Sequence, residues 1–149
     1  MFTNQRFDNW SLKPSTISGL EKLGWEKATP VQRDTIPTAL QGNDVIGQAR
    51  TGSGKTGAFS IPIIEACSPT GNLQALVLAP TRELANQVSE EMNSIQGDNG
   101  LKIITVYGGT DLEKQARQLT DGVDIIVGTP GRVMDMTKRE YIDMSTPTI

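Results

Sequence analysis

The densest chemistry in the chain lies in Gly47-Gln48-Ala49-Arg50-Thr51-Gly52-Ser53-Gly54-Lys55-Thr56, directly after the apolar pair Val45-Ile46. A triphosphate packs several negative charges into a small volume. Holding one takes many converging backbone N–H donors, which only a glycine-rich loop can wrap that closely. Gly52 and Gly54 supply the closeness, and Lys55 reaches the phosphates as a point charge. Thr56 offers a hydroxyl to Mg²⁺, and the helix expected to start here points its positive end at the anion. The strict spacing asks for glycine where Ala49 stands, so the match carries one departure. Ala49, Arg50, Thr51, Gly52, Ser53, Gly54, Lys55 and Thr56 are therefore the expected nucleotide contacts. Lys55 and Thr56 carry the catalytic ones, and Thr56 the metal.

Such a loop needs a strand before it, a helix after it and a sheet to hold both. Asp44–Gly47, Ala75–Leu78, Ile103–Val106 and Asp124–Val127 read as buried parallel strands. Between them, Leu84, Val88, Met92 and Ile95 recur at helical spacing, as do Leu112, Ala116 and Leu119, so a helix should follow each strand. Two more helices are expected ahead of the first strand, one from about Ser15 to Leu23 closed by Gly24, the other opening at Thr29-Pro30 and closed near Gly42. Pro62 should bend or shorten the helix after the phosphate loop. The pattern divides the chain into a helical annex at 1–42 and an α/β body at 43–149.

Composition narrows what chemistry is open. The 149 residues contain one cysteine, Cys67, and no histidine, which removes an internal disulfide, a cysteine metal cluster and the commonest general base. A net charge of −3 argues against a generally basic nucleic-acid surface, so any such binding is local. No apolar run approaches the ~20 residues of a membrane span, and a cytoplasmic location is the default expectation. Lys102, Lys114, Arg117, Lys138 and Arg139 are interspersed with acids and read as solvated surface.

From Phe7 to Ile149 the chain resembles the N-terminal motor domain of the DEAD-box RNA helicases of superfamily 2. Gly24-Trp25-Glu26-Lys27-Ala28-Thr29-Pro30-Val31-Gln32, with Phe7 upstream, resembles the family's Q motif. An amide can accept from adenine N6 and donate to N7, which suits Gln32 to select ATP, with Trp25 placed to stack on the base. Pro80-Thr81-Arg82-Glu83-Leu84-Ala85 resembles motif Ia, Gly108-Gly109 the GG motif, and Thr129-Pro130-Gly131-Arg132 motif Ib. Each follows an expected strand, which would bring hydroxyls, backbone N–H groups and Arg82 and Arg132 to the sheet edge that carries the phosphate loop. Contacts of that kind hold phosphates and sugars without reading sequence, as the family does with RNA.

The resemblance implies an α/β, RecA-like P-loop NTPase domain, a parallel sheet flanked by helices and incomplete at its C-terminus. It implies ATP and Mg²⁺ as cofactors and single-stranded or short duplex RNA as partner, with a monomeric chain and no membrane. The family's Asp-Glu-Ala-Asp and Ser-Ala-Thr motifs are absent from the sequence. The expectation is a front portion of a helicase that binds nucleotide and part of the RNA but turns over negligibly alone. Two alternatives remain open: a non-catalytic ATP- or RNA-binding module, and a fragment of a DNA-directed helicase of the same superfamily.

Overall fold

Helix ends follow the glycines. In this computed structural model, which describes residues 2–50 and 52–149, α1 spans Pro14–Lys22 and α2 spans Pro30–Leu40. Gly24 and Gly42, just beyond them, sit at φ 76° and 85°, the left-handed region that closes a helix. Both helices begin with proline, whose missing N–H costs nothing at that position. Next come α3 at Lys55–Ala66, β1 at Ala75–Leu78, α4 at Arg82–Gln96, β2 at Ile103–Val106, α5 at Leu112–Thr120, β3 at Ile125–Gly128 and α6 at Pro130–Lys138. Pro62 lies within α3, which continues through it.

Two compact units result, and α4 divides between them. The first comprises Met1–Ala66 with Glu91–Gly100. Its core is apolar: Leu20, Ile36, Ile61, Ile64, Met92 and Ile95 are almost fully buried. A Cβ added at Gly19 would fall 2.3 Å from the Ile95 carbonyl oxygen, so α1 and the end of α4 touch backbone to backbone. A short 3-10 turn at Phe7–Trp10 contributes Phe7 to the same unit.

The second unit, Cys67–Glu90 with Leu101–Ile149, contains a three-stranded parallel sheet in the order β1-β3-β2. The central strand β3 is buried along its whole length, as a strand with neighbours on both sides should be. Ile104, Val106, Ile126, Val133, Met136 and Ile142 form its core. Asp124, just before β3, is 2% exposed and fully occupied. Its Oδ1 accepts from the Thr70 and Gly71 N–H groups at 3.0 and 2.8 Å and from Gln74 Nε2 at 3.0 Å, and its Oδ2 accepts from Lys102 N–H at 2.8 Å. On the outer side of β1, the Ile149 N–H donates to the Gln74 carbonyl at 3.3 Å and the Leu76 N–H donates to the Ile149 carbonyl at 2.9 Å, a parallel pairing.

One expected strand is absent. Residues 43–50 have no regular structure, with Val45 38% and Ile46 99% exposed. A strand exists through its neighbours' hydrogen bonds, and among the described residues none runs alongside this segment. It lies instead against α2, where a Cβ at Gly47 would meet the Thr35 and Val31 methyl groups at 3.3 and 3.6 Å.

Candidate functional site

The glycine-rich loop that leads into α3 belongs to the first unit. Gly52 and Gly54 adopt φ 82° and 88°, which side-chain-bearing residues rarely adopt. Ser53 turns back on Arg50, its N–H donating to the Arg50 carbonyl at 3.2 Å and its hydroxyl donating to the same oxygen. At Lys55 the loop becomes α3. Lys55 and Arg50 are exposed, while Ala49, Ser53 and Thr56 are half-buried. Thr51 lies outside the described residues.

Gln32 is built into this loop. It occupies the third position of α2, 2% exposed, and its Oε1 accepts from the Thr29 N–H at 2.9 Å, the glutamine half of a capping box. Its Nε2 donates to the Gly54 carbonyl at 3.1 Å. A Cβ at Gly54 would stand 2.5 Å from that nitrogen, so glycine is required here by closeness as well as by φ. Trp25 lies beside it, its six-membered ring edge 2.8 Å from where a Cβ of Gly57 would be. Phe7 is 3% exposed; it stacks on Trp25 at 6.3 Å between ring centroids and meets Trp10 edge-on at 5.7 Å. The aromatic ring beside the loop is thus Trp25, with Phe7 behind it.

Glu91, half-buried, accepts a hydrogen bond from the Thr56 hydroxyl. Burial pushes its carboxyl above the usual range, and the Thr56 bond partly offsets that. Among the described residues no group of three acidic, cysteine or histidine side chains could hold a metal. A cation at Thr56 would therefore take most of its oxygens from nucleotide phosphates and water, a donor set that suits Mg²⁺.

In the second unit, because the three strands run parallel, the segments leaving them share one sheet edge. They are Pro80-Thr81-Arg82, Gly108-Gly109 and Thr129-Pro130-Gly131-Arg132. The Ala79 N–H donates to the Gly128 carbonyl at 2.9 Å and the Thr129 N–H to the Val106 carbonyl at 3.0 Å, which tie neighbouring exits together. The Thr81 hydroxyl caps α4 by accepting from the Leu84 N–H at 3.2 Å, whereas Thr129 opens α6 without using its side chain. Both arginines converge on the turn after β2. The Arg82 guanidinium lies 4.7 Å from the Tyr107 ring centroid, and Arg132 Nη2 donates to the Thr110 carbonyl at 3.1 Å. A Cβ at Gly108 or Gly131 would meet nothing within 4 Å, and neither residue has a left-handed φ. Neither packing nor backbone strain calls for glycine at these two positions, and the surface around them is open.

A family profile described as DEAD/DEAH box helicase matches residues 29–147. The chain belongs to this family. It is 47% identical over 140 residues to the DEAD-box ATP-dependent RNA helicase CshA of Bacillus subtilis (strain 168), an alignment covering 93% of this chain and 28% of that protein. Among solved structures it is similar to a DEAD box protein from the hyperthermophile Methanococcus jannaschii, at 38% identity and a TM-score of 0.91 over 95% of this chain and 39% of the other. A hypothetical ATP-dependent RNA helicase from Sulfolobus tokodaii is likewise 38% identical, with a TM-score of 0.83 over 91% of this chain and 39% of the other. This DEAD/DEAH box chain thus spans well under half the length of its relatives, and its parallel sheet with flanking helices is the expected RecA-like arrangement.

Three residues with a place in these sites were not singled out by the sequence. Glu91 looks like one of many acids on a solvated helix face, and Tyr107 like a strand-end aromatic. Gln115 left the clearest trace: it sits on the apolar stripe of α5 beside Leu112, Ala116 and Leu119, where a polar residue needs an internal partner.

Proposed function

We propose that this chain is the ATP-binding and partial RNA-binding portion of an ATP-dependent RNA helicase. The observation that carries the reading is the hydrogen bond from Gln32 to Gly54, which joins the residue suited to adenine to the loop suited to phosphates. Each end of an amide has a second hydrogen-bonding position, so Gln32 retains one lone pair and one N–H for a base edge. Trp25 supplies the stacking face, with Phe7 supporting it from behind. Lys55 and the start of α3 hold the phosphates. Mg²⁺, bound at Thr56 together with the phosphates, would neutralise charge developing during phosphoryl transfer.

The second unit supports the RNA half of the reading. Arg82, Arg132 and the bare glycines 108 and 131 offer positive charge and close backbone approach at one sheet edge, a combination that holds a sugar-phosphate strand without reading bases. Hydrolysis also needs a positioned water and compensated transition-state charge, an arginine finger alone being worth ~10³ to 10⁵ in rate. We assign those parts to the remainder of a full-length helicase and expect the 149-residue chain to hydrolyse ATP negligibly.

Nucleotide titration tests the assignment. Lys55→Ala should abolish ATP binding while far-UV circular dichroism stays the same. Gln32→Ala should weaken ATP and narrow its advantage over GTP. Unchanged ATP affinity in Lys55→Ala would discard the phosphate-loop assignment, and unchanged discrimination in Gln32→Ala would mean the base is read elsewhere. Binding of single-stranded DNA as tight as RNA would move the chain to the DNA-directed branch.

A further inference from the structure

We infer that Gln115 is a positioning residue, one that clamps Arg132 to the turn after β2 while leaving its charge uncancelled, so that arginine and turn form a single phosphate-binding surface. The inference rests on the RNA reading above. Gln115 is 7% exposed, and its amide is used at both ends. Nε2 donates to the Tyr107 carbonyl at 3.2 Å and to the Thr110 hydroxyl at 2.6 Å, while Oε1 accepts from Arg132 Nη1 at 2.9 Å. With the bond from Arg132 Nη2 to the Thr110 carbonyl, this closes a ring of hydrogen bonds through α5, α6 and the turn.

The chemistry of the clamp is what points to an anion. A guanidinium pairs most strongly with a carboxylate, as the half-buried Arg6 and the exposed Arg33 and Arg139 do elsewhere in this chain. Arg132 is held by an amide oxygen and a peptide carbonyl, and among the described residues it forms no ion pair. Neutral acceptors fix the fork without neutralising it. Of five guanidinium donors, two are spent on the clamp and three remain for a ligand. A cation immobilised beforehand has less conformational entropy to lose when a phosphate arrives.

Glutamate in place of Gln115 separates this role from mere packing, because it preserves size and would grip Arg132 more tightly while cancelling its charge. The assay is binding of a labelled single-stranded oligouridylate to the full chain, titrated with salt. Arg132→Gln and Gln115→Glu should each lower affinity about tenfold at low salt and flatten the log–log salt slope by about 0.7, the share of one phosphate contact on a single strand. Gln115→Met keeps the charge but frees it, and should weaken binding with the slope retained. Wild-type affinity and slope in Gln115→Glu, or wild-type affinity in Gln115→Met, would overturn the inference while leaving the RNA reading intact. Absence of RNA binding by the unmodified chain would overturn both. If circular dichroism shows both Gln115 variants unfolded, Arg132→Lys decides: it keeps the charge but loses the fork, and undiminished affinity there would refute the clamp.

Discussion

Asp124→Ala should be among the most destabilising single changes in the second unit. The carboxylate receives three backbone N–H groups, from Thr70, Gly71 and Lys102, and one amide N–H, from Gln74, all at 2.8–3.0 Å. Alanine takes away their shared acceptor, and each buried donor left unpaired costs about 1–3 kcal/mol. Gln74 is half-buried and its Nε2 also reaches the Ser68 and Asn72 carbonyls, so its loss is absorbed. The Thr70 N–H likewise reaches the Ser68 carbonyl at 2.8 Å, so the Gly71 and Lys102 N–H groups are the ones that lose most. Two such groups, on residues that water can partly reach, put the net cost at about 3 kcal/mol, a large part of the 5–15 kcal/mol that a domain has. Asp124→Asn keeps Oδ1 but turns an N–H toward Lys102, and should cost roughly half as much, the value of one charge-assisted bond. Urea unfolding followed by circular dichroism gives both numbers, with the order wild type, Asn, Ala. An Asp124→Ala midpoint within about 1 kcal/mol of wild type at unchanged slope would show that the loop and strand ends find other partners, and the reasoning would fail.

Gly57→Ala would place its Cβ 2.8 Å from both Gln32 Nε2 and Trp25. We expect red-shifted tryptophan emission and weaker ATP binding, against the gain of up to about 1 kcal/mol that alanine normally brings to a helix; unchanged emission and affinity would show that the contact yields freely. Burial raises the carboxyl groups of both Glu65 and Glu91. Between the ordinary glutamate range and those raised values the folded chain binds more protons than the unfolded one, so their contribution falls as pH rises through that window and recovers on acidification. Glu65→Gln with Glu91→Gln should therefore flatten the stability profile on the acid side of neutrality in urea titrations; a profile as steep as wild type would assign that slope to other groups.

What could be read from the chain divides along the range of the interactions. Ala75–Leu78 and Ile103–Val106 form strands at the bounds their apolar runs indicate, and β3 begins at Ile125, one residue later than expected. These strands carry their own signal, as do helix ends closed by glycine at positive φ. Asp44–Gly47 carries the same apolar signal and is not a strand, because strand formation depends on a partner that local pattern cannot report. The site follows the same rule. Glycine spacing marked the loop before α3, where Gly52 and Gly54 take positive φ, but that Gln32 would tie down Gly54, 22 residues away, is a fact of side-chain direction across two elements. Gln115 is similar: its partners come from the turn after β2 and from α6, 5 to 17 residues distant, and nothing in its immediate sequence names them.

The exposed Val45-Ile46 pair has a further consequence for the chain's colloidal behaviour. Short β-branched stretches with unpaired backbone template the stacking of like segments, and the usual safeguard is a flanking charge. Here that gatekeeper is Asp44, next to Val45, on a chain whose net charge is only −3 and whose isoelectric point is about 4.9. As pH falls toward that point, the overall repulsion between chains weakens. Light scattering should rise steeply with protein concentration there, and Ile46→Lys should suppress it.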